Sequence, residues 1–403
     1  MAEVKVLDES EHRAANTLFR GAMHRGPAED SAWERVKGSY EAGRTLGVYD
    51  GGRLAGSTFS FPMPMVVPGG DAVPMAAVTR VGVRADRTRR GLLTALMREQ
   101  LAAVGAAGEP LATLRASEYA IYGRFGYGVA TRARNIEIEP RRAVMHRDAP
   151  AGGTVRLLDP DEFGTVLPDL YRRIDGRRPG MLQRSDQWWH AILSRPFNDE
   201  HPACVAVHTG PDGDDGYVWY RADSDSLPDD TDPRLTVEDL HTATPQASAA
   251  LWRFVCRVDL ISAVKGWLRP LDEPIELLLE DARACRTTGI YDETWLRLVD
   301  VPAALDARTW GGGDAVVIGV SDALLPANSG GYWLTPDGVK RTDERPQLEL
   351  PVAELARLYL GDVAPSVLAG TGRMTVHDPA ALPAADALFG AGSGVTPWAG
   401  TFF

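Results

Sequence analysis

Residues 78–97, VTRVGVRADRTRRGLLTALM, combine the residue types that bind a phosphate group. A strand pattern leads into an arginine-rich turn with Gly91, and a helical pattern begins directly behind that glycine. A helix start presents free backbone N–H groups and the positive end of the helix dipole, so it favours an anion. Glycine allows close backbone approach, and Arg89 and Arg90 add charged donors. The stretch predicts a pyrophosphate site, with an exposed basic helix cap as the alternative.

The last nine residues, VTPWAGTFF, suggest a second kind of chemistry. They contain Trp398, Phe402 and Phe403 and no charged side chain, whereas chain ends are usually polar and poorly ordered. An α-carboxylate, with an ordinary pKa of roughly 3.5, is ionised at neutral pH and can accept a proton from an amine. Burial of the rings would hold the carboxylate in place, each contributing on the order of 2 kcal/mol. Simple packing of a domain edge is the alternative.

Residues 117–128, SEYAIYGRFGYG, connect these two features. With the preceding Val-x-Val and the Arg/Gly turn, they resemble the GCN5-related N-acetyltransferases, whose second motif reads Phe-Tyr-x-x-x-Gly-Phe/Tyr. The form IYGRFGYG is similar to that of the enhanced intracellular survival (Eis) acetyltransferases. Those chains are also about this long and end on an aromatic residue whose free carboxylate enters the active site. One position departs, because the family usually has Gln or Arg where this chain has Thr88, flanked by Arg87 and Arg89.

The resemblance implies acetyl-CoA as co-substrate and assigns roles to individual residues. Tyr122 would be the general acid that protonates the departing CoA thiolate, with Tyr119 and Tyr127 as competitors, and the Phe403 carboxylate would be the general base. One strand would pair with the amide arm of CoA, the helix start would bind its pyrophosphate, and a loop would contact its thiol end. The expected cofactor-binding residues are Val81, Gly82, Val83, Arg89, Arg90, Gly91, Leu92, Leu93, Thr94, Ser117 and Glu118.

The elements that position these residues follow a mixed α/β pattern. The order strand, helix, hairpin, strand, helix, strand covers the N-terminal part and partly repeats after an Arg-, Ala-, Pro- and Gly-rich stretch at residues 141–154. By resemblance the fold is a tandem of acetyltransferase folds plus a C-terminal α+β domain similar to sterol carrier proteins. The expected domains are 1–145 (catalytic), 150–288 (a degenerate second copy) and 289–403.

The second copy is expected to have lost the phosphate site. In VEDLHTATPQASAALW the turn into the helix contains neither glycine nor arginine. Pro245 is a good first helical residue, but it offers no N–H to a phosphate. The copy is therefore interpreted as a structural repeat that shapes the acceptor cleft.

The acceptor is implied by the resemblance to be a cationic amine: an aminoglycoside, a polyamine or a lysine side chain. The loop GPAEDSAWERV offers Glu29, Asp30 and Trp33 for such a ligand, and a solvated helix cap explains the same residues equally well. Two other functions stay open. One is a lipid-binding or scaffold protein with an inactive first domain, and the other is an acyltransferase that acts on protein N-termini.

Composition restricts the class of partner and the compartment. A net charge of −12 argues against a nucleic-acid partner. No stretch approaches the roughly 20 apolar residues of a membrane span, and the N-terminus lacks the features of a signal peptide, so cytoplasm is expected. Cys204, Cys256 and Cys285 lack metal-type spacing and are expected to be reduced, and the histidines form no ligand pair, so no metal is expected. The resemblance also implies a homo-hexamer.

Overall fold

The structure is a computed structural model that describes residues 3–174, 178–193, 203–223, 233–390 and 394–403. The chain forms two compact units. The first contains Met1–Thr131, Arg177–Ser194 and Glu293–Phe403, and the second contains Arg132–Gly176 and Arg195–Asp292. The first and third predicted domain ranges both contribute to the first unit, and the exact domain boundaries stay predictions.

The first unit contains a mixed sheet with a parallel pair near its centre. Met75–Val83 and Leu111–Leu114 run parallel, and the helix Leu92–Ala106 supplies the crossover that a parallel pair requires. The strands lie in the order Glu3–Val6, Thr45–Asp50, Arg53–Pro62, Met75–Val83, Leu111–Leu114, Cys285–Leu298 and Gly128–Ile138. Of the last two strands, residues 293–298 and 128–131 belong to this unit.

The crossover helix is amphipathic and packs on the sheet through its apolar face. Met97, Leu101 and Val104, spaced at about one helical turn, are almost completely buried against side chains of the parallel pair. Since this helix directly follows Met75–Val83, its N-terminus lies at the carboxyl end of that strand. The other helices and the small hairpin of this part are His12–Ala22, Asp30–Lys37, Tyr119–Tyr122, Asp186–Leu193, Met65–Val66 and Ala72–Val73.

Residues 301–390 of the first unit form a smaller α+β layer. The strands of its sheet lie in the order Gly338–Thr342, Gly330–Thr335, Val316–Ser321, Leu348–Pro351 and Thr375–Val376. Its helices are Val301–Asp306, Val352–Tyr359, Pro365–Gly370 and Ala381–Phe389. Arg308 joins the ends of two of them, because its guanidinium donates to the carbonyl oxygens of Tyr359 (2.6 Å) and Phe389 (3.0 Å). A cation at helix C-termini is favourable, although burial lowers the Arg308 pKa to about 10.

The second unit repeats the pattern of a parallel pair joined by a helix. Arg234–Thr242 and Ala263–Pro270 run parallel, and Pro245–Val255 is the crossover helix between them. The other helices are Phe163–Arg173 and Ile275–Leu278. The strands lie in the order Cys285–Leu298, Gly128–Ile138, Ala263–Pro270, Arg234–Thr242, Gly213–Asp223, Ala203–Gly210 and Thr154–Leu157, of which the first two contribute residues 285–292 and 132–138. The mixed α/β fold class and its duplication are confirmed.

Bilayer-spanning helices are absent from the parts of the chain that the structure describes, because none of their helices is both long and apolar enough.

Candidate active site

The two parallel strands of the first unit are paired over only three residues, at the beginning of each strand. Met75, Ala76 and Ala77 lie opposite Leu111–Thr113, and the strand register between the pair ends there. Beyond this point Met75–Val83 stays paired with Arg53–Pro62, whereas the other strand stays paired with Cys285–Leu298. The two strands therefore part, and backbone groups of residues 81–83 that face the gap are available to an extended ligand with amide groups of its own.

Packing explains the glycine at position 82 independently of any ligand. A Cβ at this position would lie 3.1 Å from the Ala22 Cβ and 3.2 Å from the Phe19 Cα, both on the helix His12–Ala22. Glycine thus lets that helix lie close to the strand. Val81 and Val83 are partly buried on either side, against the apolar clusters under the sheet.

The helix Leu92–Ala106 begins without a side-chain cap. Its N-cap residue, Gly91, is in the left-handed region with φ 79° and offers no side chain to cap the first turn. The backbone N–H of Ala95 is the first to bond within the helix, at 3.0 Å to the Gly91 carbonyl oxygen. The N–H groups of Leu92, Leu93 and Thr94 precede it and lack helical partners, as the first N–H groups of a helix do. This is the arrangement expected of an anion site.

The arginines of the preceding turn differ in whether a carboxylate compensates their charge. Arg87 and Arg90 both pair with Asp50, at 3.1 Å and 3.2 Å. Arg89 is exposed with φ 61°, and no ion pair joins it to the described residues. The Thr88 hydroxyl donates within the turn, to the Ala85 carbonyl oxygen at 3.3 Å. Of the donors predicted for a phosphate, Arg89 therefore carries the uncompensated charge.

Replacing Gly91 with Ala is expected to weaken acetyl-CoA binding. An added Cβ would meet nothing within 4 Å, so the effect arises from the left-handed φ of 79°, which costs a residue with a side chain roughly 1–2 kcal/mol. The strained turn would move the N–H groups away from the pyrophosphate. Isothermal titration with acetyl-CoA measures the change.

Gly108 provides the matched control for that variant. It has φ 74° and open space around its Cβ position, and it lies just beyond the other end of the same helix. Gly108→Ala should destabilise the fold as much as Gly91→Ala does, with unchanged acetyl-CoA affinity. Equal affinity losses in both variants would show that the site at Gly91 is not special.

The three candidate tyrosines lie in different environments. Tyr119 is 56% exposed, and its hydroxyl accepts a hydrogen bond from Arg357 at 3.5 Å. The Tyr127 hydroxyl is completely buried and has no hydrogen-bond partner among the described residues, and burial raises its pKa. Tyr122 is 7% exposed, and burial raises its pKa to about 12. The Tyr122 hydroxyl therefore stays protonated at neutral pH.

The turn that follows Tyr122 depends on Gly126. This residue has φ 84°, and a Cβ on it would lie 2.7 Å from the Cζ of Arg297. Arg297 cannot move aside easily, because it is fully buried and pairs with Asp322 at 2.6 Å. The buried Arg297–Asp322 ion pair therefore packs against the turn that follows Tyr122.

Gly126→Ala is expected to lower the free energy of unfolding by about 2 kcal/mol or more, because it adds overpacking to left-handed strain. Chemical denaturation measures the change. Gly108→Ala shares the positive φ without the close contact, so the difference between the two variants isolates the clash with Arg297. Equal losses would mean that Arg297 yields.

The C-terminal tail, residues 394–403, is held more by hydrogen bonds to its backbone than by burial of its aromatic rings. Trp398 is buried as expected, but Phe402 is 41% exposed and Phe403 is half-buried. The expectation that all three rings bury is therefore corrected. The Phe403 ring meets Phe61 edge-on, with the centroids 6.0 Å apart.

Three side chains distant in sequence bind successive carbonyl oxygens of the tail. Arg184 donates to the Gly400 carbonyl at 2.8 Å, Arg115 to that of Thr401 at 2.9 Å, and the Trp188 indole to that of Phe402 at 2.7 Å. Two of the donors come from residues 178–193, which we call the tail-binding segment. No motif in the sequence marked these donors, and the regular bonding directs the chain up to its last residue.

The predicted acceptor residues lie on or beside the short helix Asp30–Lys37. Glu29 and Asp30 are exposed, and Asp30 pairs with Arg13, so its charge is partly compensated. The Trp33 ring lies 5.8 Å from that of Tyr40. A row of aromatic rings, which we call the ring row, continues from there to the end of the chain through Trp33, Tyr40, Phe59, Phe61 and Phe403.

The crossover helix of the second unit begins differently from that of the first. Thr244 caps it, because its hydroxyl oxygen accepts from the Ala247 N–H at 3.1 Å. The same hydroxyl donates to the Asp215 carboxylate at 2.6 Å. A cavity of about 540 Å³ at this helix start also contains Asp212 and Asp214 in its wall. Carboxylates and a side-chain cap thus stand where a phosphate would bind, which agrees with the interpretation of this copy as structural.

The described part of the chain contains no group of three or more His, Cys, Asp or Glu side chains that could hold a metal ion. Within the same described residues, Cys204, Cys256 and Cys285 form no disulfide bond.

Comparison with known proteins matches three parts of the chain to family models. Models of the acetyltransferase (GNAT) domain match residues 3–130 and 180–298, and a model of the sterol carrier protein domain matches residues 301–400. The expected sequence of two acetyltransferase folds and a sterol-carrier-like domain is confirmed.

Relatives are similar over nearly the whole chain. An uncharacterized N-acetyltransferase of Streptomyces avermitilis is 37% identical over 410 residues, 98% of each chain. The N-acetyltransferase Eis of Mycobacterium tuberculosis is 34% identical over 379 residues, 90% of each chain. The crystal structure of Eis1 from Mycobacterium abscessus superposes with a TM-score of 0.90 at 39% identity and covers 100% of both chains.

Proposed function

Since the chain belongs to the Eis-like GCN5-related N-acetyltransferases, we propose that it transfers acetyl from acetyl-CoA to the primary amine of a cationic acceptor. The observation that carries this proposal is the parting of the parallel strands beside an uncapped helix start, together with the buried Tyr122 phenol whose pKa is raised to about 12. An extended thioester that carries phosphates fits that combination.

The residues of the first unit fit acetyl-CoA in chemistry and order. The N–H groups of Leu92, Leu93 and Thr94 and the Arg89 guanidinium supply donors for the pyrophosphate. Residues 81–83 supply backbone partners for the amide arm, and Ser117 and Glu118 are exposed just beyond the strand Leu111–Leu114. All of these groups belong to one compact unit.

The proposed reaction uses one proton acceptor and one proton donor. The neutral amine nitrogen attacks the thioester carbonyl carbon, a C–N bond forms, and the C–S bond then breaks. The amine proton passes to the carboxylate of Phe403, directly or through water. The departing thiolate takes the proton of the Tyr122 hydroxyl, so the products are the acetamide and CoA thiol. Raising the Tyr122 pKa to about 12 keeps this donor protonated at neutral pH.

A cationic acceptor is supported by the ring row and the chain end. Aromatic faces attract ammonium groups, and the row from Trp33 to Phe403 ends at a carboxylate. One part of the row is already occupied, because the Arg80 guanidinium lies 4.2 Å from the Tyr40 ring centroid and 5.2 Å from that of Phe59. Phe59 and Phe61 are buried, whereas Trp33 and Phe403 at the two ends of the row are partly exposed, so these two are the rings that an amine can reach.

Release of CoA thiol from acetyl-CoA, measured across aminoglycosides, polyamines and lysine peptides, tests the proposal. We expect release that depends on the acceptor, and a mass increase of one or more acetyl groups on that acceptor. No release with any primary amine would contradict an acetyltransferase activity and favour a scaffold or lipid-binding role.

A further inference from the structure

Glu293 is a buried carboxylate at the centre of the tail contacts. It lies on the strand Cys285–Leu298, and its side chain is completely buried. One carboxylate oxygen accepts from the Gly400 N–H at 3.1 Å and from Arg115 at 3.2 Å. The other accepts from the Ala399 N–H at 3.0 Å and from the Thr131 hydroxyl at 3.0 Å. Both oxygens are thus used twice, and each binds one backbone N–H of the tail.

A carboxylate suits this set of partners. Each of the four groups donates to it, and a carboxylate has two acceptor oxygens with about four lone-pair positions. An amide in the same place would present two N–H donors to half of them. Gly400 also has φ 60°, so the tail turns at the residue that Glu293 binds.

Arg115 connects this carboxylate to the gap between the parting strands. It directly follows the strand Leu111–Leu114 and binds Glu293 and the Thr401 carbonyl with the same nitrogen. Since Gly400 is three residues from the chain end, a fixed Gly400 confines Phe403 to a radius of roughly 10 Å.

We propose that Glu293 is the positioning residue for the carboxylate of Phe403: it fixes the backbone of Ala399 and Gly400 and so determines where the proton acceptor lies. The inference rests on the proposed function, in which that carboxylate is the base. The role assigned to Glu293 is positioning rather than proton transfer, because each of its two oxygens already accepts two hydrogen bonds from protein donors.

Glu293→Gln tests the proposal in the full-length protein. We expect kcat to fall about 10²-fold, because a misplaced catalytic group costs that much, while the KM for acetyl-CoA stays nearly unchanged. The matched control is Glu109→Gln. Glu109 is another buried carboxylate of the same unit, paired with the two Nη nitrogens of Arg44 at 2.7 Å and 2.9 Å, and it hydrogen bonds to none of the described tail residues. It should lose stability and keep kcat.

A double-mutant cycle with deletion of Phe403 separates positioning from folding. If Glu293 acts through the chain end, Glu293→Gln should not lower kcat further once Phe403 is removed. Equal fractional losses with and without Phe403, or a normal kcat in full-length Glu293→Gln, would overturn the proposal. An active Phe403 deletion would instead refute the terminal base, so the two failures are distinguishable.

Thr131→Val is the second variant, for use if Glu293→Gln does not fold. It removes one donor to the Glu293 carboxylate and one acceptor for the Thr294 N–H, with little change of volume. We expect a smaller loss of kcat, together with faster amide hydrogen exchange at Ala399 and Gly400. Unchanged exchange at both amides would contradict the role of Glu293.

Discussion

A variant without Phe403, or with a short peptide appended after it, should lose about 10²-fold or more in turnover, because the proton acceptor is removed or displaced. The bonds to Trp398–Phe402 would persist in both variants, so the tail itself should stay ordered. Steady-state kinetics with acetyl-CoA and an active amine measures the loss. Affinity for acetyl-CoA should change little, since the groups proposed to donate hydrogen bonds to its pyrophosphate do not belong to the tail.

The same peptide attached to the N-terminus is the control for the appended variant. The strand Glu3–Val6 lies at one edge of the sheet, so an addition there does not touch the tail. Normal turnover of the C-terminally extended protein would rule out the Phe403 carboxylate as the base.

Tyr122→Phe is expected to lower kcat by about 10²-fold or more and to leave acetyl-CoA affinity nearly intact. The change removes one hydroxyl that bonds to no described group, so the fold should keep its stability. The thiolate would then leave without a proton donor. The alkaline limb of the pH–rate profile should not report Tyr122 below about pH 12, because its pKa is raised to about 12.

Tyr119→Phe provides the comparison within the same motif. It also removes a hydroxyl, but from an exposed ring whose hydroxyl is bound to Arg357. Turnover close to that of the unmodified protein is expected. If Tyr119→Phe showed the large loss and Tyr122→Phe did not, the roles assigned to the two phenols would have to be exchanged.

The tail-binding segment explains one use of the duplicated fold. Residues 180–298 match an acetyltransferase-domain model, yet residues 178–193 belong to the first compact unit. Backbone bonds attach this segment beside the hairpin of Met65–Val66, for example from the Val66 N–H to the Met181 carbonyl at 2.8 Å. From this position Arg184 and Trp188 bind the tail. The second acetyltransferase copy thus contributes side chains to the first unit. Its own crossover helix, by contrast, begins with a side-chain cap and is surrounded by carboxylates.

The sequence by itself determined the features whose physics is local. The Arg/Gly turn predicted an uncapped helix start, and Gly91 has the positive φ that the turn requires. The hairpin of the predicted element order is the pair Thr45–Asp50 and Arg53–Pro62, and the residues between them, Gly51 and Gly52 after Asp50, are typical of a tight turn. The tyrosine motif and the aromatic chain end pointed to the family, which the relatives then confirmed. Each of these signals lies within a dozen neighbouring residues.

Only the tertiary structure decided the environments of the three tyrosines and what holds the chain end. Tyr119 is 56% exposed, whereas Tyr122 and Tyr127 are buried, although all three lie within nine residues. The tail is bound by Glu293 and Arg115, which are 106 and 286 residues away from their backbone partners Ala399 and Thr401. Spacing patterns reflect neighbours within one helix or strand, so contacts over such separations leave no periodic signal. They arise because folding brings distant donors and acceptors together around buried backbone groups that must be satisfied.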